Sequence, residues 1–122
     1  MEDHSAKILA VAGKGGVGKT SVSAAMIRLL CERCPDKKIL AIDADPAVGL
    51  STALGLTVGE TLDDIRREIA GEVTDRQGGG VSDVLQSVRG RLLKAMTHCG
   101  GYDFFAIGRP ETAGCYCAVN TY

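Results

Sequence analysis

Gly13-Lys14-Gly15-Gly16-Val17-Gly18-Lys19-Thr20 is the stretch on which the reading of this chain turns. Its spacing is G-x-x-x-x-G-K-[ST], in which glycines let successive backbone N–H groups face inward around phosphate oxygens. That spacing sends Lys19 toward the terminal phosphates of a nucleotide and offers the Thr20 hydroxyl to Mg2+, with Ser21 completing the phosphate-binding stretch. The flanks agree with the motif. Lys7-Ile8-Leu9-Ala10-Val11-Ala12 is a short, almost wholly apolar run and predicts a buried parallel strand. From Thr20 onward Val22, Ala25, Met26, Leu29 and Leu30 recur at helical spacing, and Pro35 ends the pattern. A helix starting at the loop adds its own positive field for an anion. A glycine-rich turn that binds nothing shares the residue types, but it does not require a strand before it and a helix after it.

Downstream, Lys38-Ile39-Leu40-Ala41-Ile42 reads as a second buried strand, running into Asp43-Ala44-Asp45-Pro46. In open α/β sheets the chemistry collects at the carboxyl ends of strands. A carboxylate there can hold Mg2+ through its waters or orient the water that attacks a γ-phosphate. Asp before Pro also starts turns well, so a purely structural turn is the competing reading. Residues 50–55 suggest a short helix or turn. Thr61-Leu62-Asp63-Asp64 predicts a helix start with a capping acid; Leu62, Ile65 and Ile69 share its face, and Gly71 can close it. Residues 72–80 read as a loop. Ser82 can cap a further helix whose apolar stripe is Val84, Leu85, Val88, Leu92, Ala95 and Met96, ended by Gly100-Gly101. Tyr102-Asp103-Phe104-Phe105-Ala106-Ile107 is a third strand. The expected fold is α/β, a doubly wound and mostly parallel sheet within one domain, without internal repeat or boundary.

The sequence has net charge −1, no Trp and five cysteines. No basic footprint for nucleic acid is visible. No apolar run approaches the roughly 20 residues of a membrane span, and Met1 to Lys7 lacks the plan of a signal peptide. The expectation is a cytoplasmic protein whose cysteines are not a disulfide framework. After the third strand comes Gly108-Arg109-Pro110-Glu111-Thr112-Ala113-Gly114-Cys115-Tyr116-Cys117. A C-x-C pair brings two thiolates within chelating distance, and soft thiolates suit Zn2+, Ni2+, Cu(I) or iron–sulfur centres. Two cysteines half-build a tetrahedral site, and a two-fold dimer would supply four. Two small buried residues near a strand end are the alternative. Cys31 and Cys34 lie inside the first helix and read as structural, with Cys34 along the Met26–Leu30 stripe. Cys99 ends a helix with no partner to name, and His98 reads as a helix-end residue rather than a ligand.

The loop, with its second lysine Lys14 directly after the first glycine, resembles the deviant Walker A loop of Min and Par partitioning ATPases, the nitrogenase iron protein and metal-centre maturation ATPases. The resemblance implies a P-loop NTPase and a nucleotide-sandwich homodimer, with Lys14 reaching the phosphates held by the partner subunit. It implies catalytic roles for Lys14, Lys19 and Asp45, with Asp45 positioning the attacking water and Asp43 sitting behind the metal. Gly108 to Cys117 is similar to the corresponding loop of CooC-type maturation ATPases, which serve nickel insertion into carbon monoxide dehydrogenase. Arg109 and the second cysteine favour that pattern over the iron-protein loop, where a single cysteine ligates a shared [4Fe–4S] cluster. By that resemblance Cys115 and Cys117 bind Ni2+ or Zn2+ between subunits, with ATP and Mg2+ as the gate. The acceptor would be apo carbon monoxide dehydrogenase or a similar nickel enzyme. An iron–sulfur electron-transfer ATPase and a non-catalytic nucleotide-binding module are the other readings. No run after the P-loop strand ends in the Asp of a Walker B followed a few residues later by Gly, and the late candidate Tyr102–Ile107 is followed by Gly108-Arg109-Pro110 instead. In the resembled class that strand lies beside the P-loop strand and leads into switch II. The expectation is therefore the N-terminal part of one P-loop domain, lacking Walker B, switch II and the adenine-binding part and hydrolysing ATP weakly or not at all.

Overall fold

The computed structural model describes residues 5–75 and 81–108. Along the chain come α1 (Lys19–Arg33), β1 (Leu40–Asp43), α2 (Gly49–Leu54), α3 (Leu62–Asp75), α4 (Val81–Ala95), β2 (Thr97–His98) and β3 (Asp103–Ala106). The sheet has order β1-β3-β2. β1 and β3 are parallel, with Asp43 beside Ala106, and β2 pairs antiparallel with β3. This is an α/β sheet of mixed direction.

Phe104, with no exposure, and Ala106 alternate on the buried face of β3, and Ala41 does the same on β1. Ile27 of α1 and Leu50 of α2 close over them. The helix that follows the loop therefore buries Ile27, with Ala24 and Cys31 packed beside it, and not the expected stripe. Val22 and Leu29 are about half exposed, at 52% and 53%.

The largest departure from the sequence reading is at residues 7–12. This apolar run is not in the sheet: Ile8 is 92% exposed and Leu9 67%. The outer edge of β1 faces it across a groove of about 1230 Å3 floored by Met26, Ile27 and Leu30. A run buried on both faces needs a neighbour on each side. Among the described residues no strand lies between 7–12 and β1, so apolar composition finds no pairing partner. For the same reason Leu40 and Ile42 on β1 keep their outward faces half exposed.

Other differences are local. Gly71 does not close α3, which runs on to Asp75; a glycine weakens a helix interior by only about 1 kcal/mol and does not forbid it. Thr97 and His98 form a strand, not a helix end, because Asp103 and Phe104 offer them ladder partners. Cys99 accordingly sits in the turn after β2. The expected loop at 72–80 is helical to Asp75, and residues 76–80 lie outside the described residues. Among the described residues no helix is long and apolar enough to cross a membrane.

Candidate functional site: the phosphate loop and the ends of the parallel strands

The glycine loop enters α1 through Gly18, which has φ 94, and Gly16 has φ 79. Both are left-handed conformations in which a side chain is strained. This is the local reason the sequence spends glycines there. No side chain caps α1, so the first N–H groups of the helix have no side-chain acceptor at the loop. Lys19 folds back over it: Nζ donates to the carbonyls of Gly13 at 2.7 Å and Lys14 at 2.9 Å. The Lys14 residue itself is exposed at the loop tip.

The carboxyl end of β1 meets this loop from the other side of the groove, which Gly13, Lys19 and Thr20 line together with Asp43 and Asp45. Asp43 is 5% exposed, and its two oxygens are divided between two backbone donors. Oδ1 accepts from the N–H of Asp45 at 3.1 Å, and Oδ2 accepts from that of Leu50 at 3.0 Å. The carboxylate thus fixes residues 43–50 as one turn, which leads into α2. Asp45 is exposed; its Oδ1 accepts from the N–H of Ala47. The two aspartates build a turn, and that turn sits at the groove. Within the turn Val48 has φ 49 and ψ 43. A β-branched residue there is strained. Next to it Gly49 lies against Thr20, a Cβ on it standing 3.8 Å from the Thr20 hydroxyl. The start of α1 and the aspartate turn are therefore close neighbours.

Thr20 and the two aspartates form an all-oxygen donor set. Each Asp43 oxygen accepts a single backbone hydrogen bond and retains acceptor capacity for water. Such a set suits a hard cation that keeps part of its hydration shell, as Mg2+ does.

A third strand end arrives beside β1. The Ile107 N–H donates to the Asp43 carbonyl at 2.9 Å, and the Ile107 carbonyl accepts from the Asp63 N–H at 3.0 Å. Here α3 begins with reciprocal capping. The Asp64 N–H donates to Thr61 Oγ1, while Asp64 Oδ2 accepts from the Thr61 N–H at 2.9 Å and its hydroxyl at 2.7 Å. Those bonds, the hydroxyl first, hold the Asp64 carboxyl below its usual pKa, with Arg67 adding to the effect. Asp63, 5% exposed, is compensated by Arg66 at 3.0 Å and Arg67 at 3.3 Å. The Arg67 approach to Oδ2 is an ion pair without hydrogen-bond geometry. Gly108 packs into the same corner at φ 87, where an added Cβ would fall 2.5 Å from Thr61 Oγ1. The Thr61–Asp64 cap was legible from its spacing; the Gly108–Thr61 approach was not, because nothing local links positions 47 apart in sequence.

Of the residues expected to carry function, the structure gathers Gly13, Lys19, Thr20, Asp43 and Asp45 about one groove. Arg109, Cys115 and Cys117 lie outside the described residues. Among the described residues no group of three His, Cys, Asp or Glu is placed to hold a metal ion.

Comparison with known proteins places this geometry in a family. Residues 6–100 match the anion-transporting ATPase family, and the chain belongs to it. An ATP-binding protein of Methanocaldococcus jannaschii, MJ0685, is 37% identical over 115 residues, which is 94% of this chain and 45% of that protein. The ATPase GET3 of Komagataella phaffii is 45% identical over 60 residues, 49% of this chain and 17% of that one. A cytosolic Fe-S cluster assembly factor, the Nubp1 homologue of Drosophila grimshawi, is 42% identical over 45 residues, 37% of this chain and 14% of its own length. The chain thus spans less than half the length of each of these relatives. No solved structure matches.

Proposed function

We propose that this member of the anion-transporting ATPase family binds ATP in the groove between its phosphate loop and β1, as the nucleotide-gated half of a cytoplasmic metal-centre maturation factor. The observation that carries the reading is the gathering of the loop and both aspartates at one strand end, with Gly49 seated on Thr20.

The loop N–H groups from Gly13 to Ser21 would surround the β- and γ-phosphates, and Lys19 would exchange its two loop carbonyls for phosphate oxygens. Mg2+, held by Thr20 and through water by Asp43, would supply charge neutralisation at the transferred phosphoryl group. Asp45, exposed at the groove, would orient the attacking water. Lys14, free of the groove at the loop tip, would reach the phosphates of a second copy and make closure of a homodimer depend on nucleotide. Because Asp43 binds the N–H of Leu50, a change at the phosphates would be felt at α2.

The finer reading concerns the cargo. Cys115 and Cys117 come nine and eleven residues after the end of β3, and β3 ends beside Asp43. Two copies closed on ATP would bring four thiolates together, a set that suits Ni2+ or Zn2+ as cargo for a nickel enzyme such as apo carbon monoxide dehydrogenase. An iron–sulfur reading draws its support from the similarity to the Fe-S cluster assembly factor.

Calorimetric titration with Mg2+-ATP tests the nucleotide site. Binding by the wild-type chain and its loss in Lys19→Ala is expected; equal binding by both refutes the site. The cargo is tested by metal analysis of protein dialysed against Ni2+ with and without ATP. Nickel at one per dimer, lost in Cys115→Ala/Cys117→Ala, is expected. Nickel retained in that variant ends the metal reading, and a visible iron–sulfur charge-transfer band replaces it by the second.

A further inference from the structure

Away from the groove, three residues with no part in the nucleotide reading meet at the other end of α1. Cys31, in the last turns of the helix, lies against the turn between β2 and β3. Its Sγ is 3.5 Å from the carbonyl oxygen of Gly101. A Cβ placed on Gly101 would stand 3.3 Å from the Cys31 Cβ and 3.2 Å from its Sγ. Disulfides need Cβ atoms about 3.5–4.5 Å apart. The turn at position 101 thus passes Cys31 slightly closer than disulfide spacing. Cys99 is two residues away in the same turn, which closes with the Gly101 N–H on the Cys99 carbonyl at 2.9 Å. Cys99 Sγ meanwhile rests on its own strand, 3.5 Å from the Thr97 carbonyl.

Two features make that turn able to re-aim Cys99. Gly100 has φ 75, and Gly101 has no side chain to obstruct the approach. Neither glycine resists a change of backbone angle. The phenol of Tyr102, the next residue, is pushed above its usual range by burial and then by Cys99 and Cys31, with Arg28 opposing. Both cysteines are packed against the same core cluster. Cys34, at the end of α1, lines the groove with Met26 and Leu30. Cys31 instead meets the Gly101 carbonyl, so the two thiols of the C-x-x-C have different neighbours.

We propose that Cys31 and Cys99 are a thiol pair that closes to a reversible disulfide, clipping the end of α1 to the β2–β3 turn. Glutathione disulfide serves as oxidant. One protein thiolate attacks a sulfur of glutathione disulfide and expels one glutathione thiolate. The second protein thiolate then attacks the protein sulfur of the mixed disulfide and expels the other. Two protein thiols lose two electrons and two protons, and one glutathione disulfide becomes two glutathiones.

The test is to incubate the native chain with glutathione disulfide, block remaining thiols, and digest without reductant using trypsin and a protease that cuts before Asp. Cleavage after Arg28, Arg33 and Lys94 and before Asp103 separates Cys31 from Cys34, and Cys99 from Cys115 and Cys117. The expected product is peptide 29–33 joined to peptide 95–102, abolished by dithiothreitol. In Cys99→Ser, Cys31 should stop at a glutathione adduct, with the far-ultraviolet circular dichroism of the wild type confirming that the variant folds. Cys31 joined to Cys34, or both Cys31 and Cys99 left as separate glutathione adducts in the wild type, overturns the proposal.

Discussion

Replacing Gly108 with alanine tests the corner where the end of β3 meets the start of α3. Two costs can be read from the geometry. The residue sits at φ 87, where an L side chain costs about 1–2 kcal/mol. The new Cβ would also meet Thr61 at Oγ1 (2.5 Å), Cβ (2.7 Å) and Cγ2 (3.1 Å). Relief requires α3 to move from its bond to the Ile107 carbonyl, an overpacking cost of about 1–3 kcal/mol. The expected loss is therefore about 2–5 kcal/mol, a large part of a domain's stability of about 5–15 kcal/mol. Urea unfolding followed by circular dichroism measures it. A double-mutant cycle with Thr61→Gly separates the two costs, since that change removes all three obstructing atoms while a glycine N-cap keeps much of the cap. The coupling should be about 1–3 kcal/mol, leaving only the backbone cost in the doubly changed protein. A loss below about 0.5 kcal/mol for Gly108→Ala, or an equal loss in both backgrounds, refutes the reasoning.

Three further outcomes follow from the same structure. Asp43→Ala strips the acceptor from the buried Leu50 N–H and should cost about 1–3 kcal/mol in the same unfolding assay, independent of any nucleotide. Thr61→Ala should cost about 1 kcal/mol as a lost N-cap. Because Asp64 has a lowered folded pKa, its contribution is present above the unfolded value of 3.8 and is lost as pH falls through the folded value. The stability difference between wild type and Thr61→Ala should therefore be smaller below that folded value than at pH 7. Finally, Leu40 and Ile42 leave an apolar edge on β1, 53% and 54% exposed. Ile42→Lys should lower concentration-dependent self-association in sedimentation, as charges on edge strands do; unchanged association counts against that edge as its source.

What could be read from sequence depended on whether its cause was local. Gly18 and Gly16 were legible because the loop's backbone angles are set within a few residues, and the Thr61–Asp64 cap because its partners are three apart. The exposure of residues 7–12 was not legible in that way. An apolar run states a need for neighbours on both sides, and the neighbours are supplied by the rest of a sheet. The same limit explains α1. Its periodicity marks several apolar residues, but only the sheet decides that Ile27 goes inward while Leu29 stays out. Asp43 shows a third kind of limit. Its place beside the loop was foreseen, but its double duty as anchor for α2 depends on Leu50, seven residues on and across a turn.

The posture of Lys19 sets a condition on what may enter. Its ammonium already has two acceptors, the carbonyls of Gly13 and Lys14. A newcomer gains only the difference between its own acceptor and those neutral oxygens. Charged phosphate oxygens exceed a carbonyl roughly twofold in hydrogen-bond strength. A hydroxyl or an uncharged base offers no such margin. On the proposed reading the lysine would work as a latch that a polyanion lifts and adenosine does not, so the resting loop would discriminate by charge before any contact with base or sugar is made.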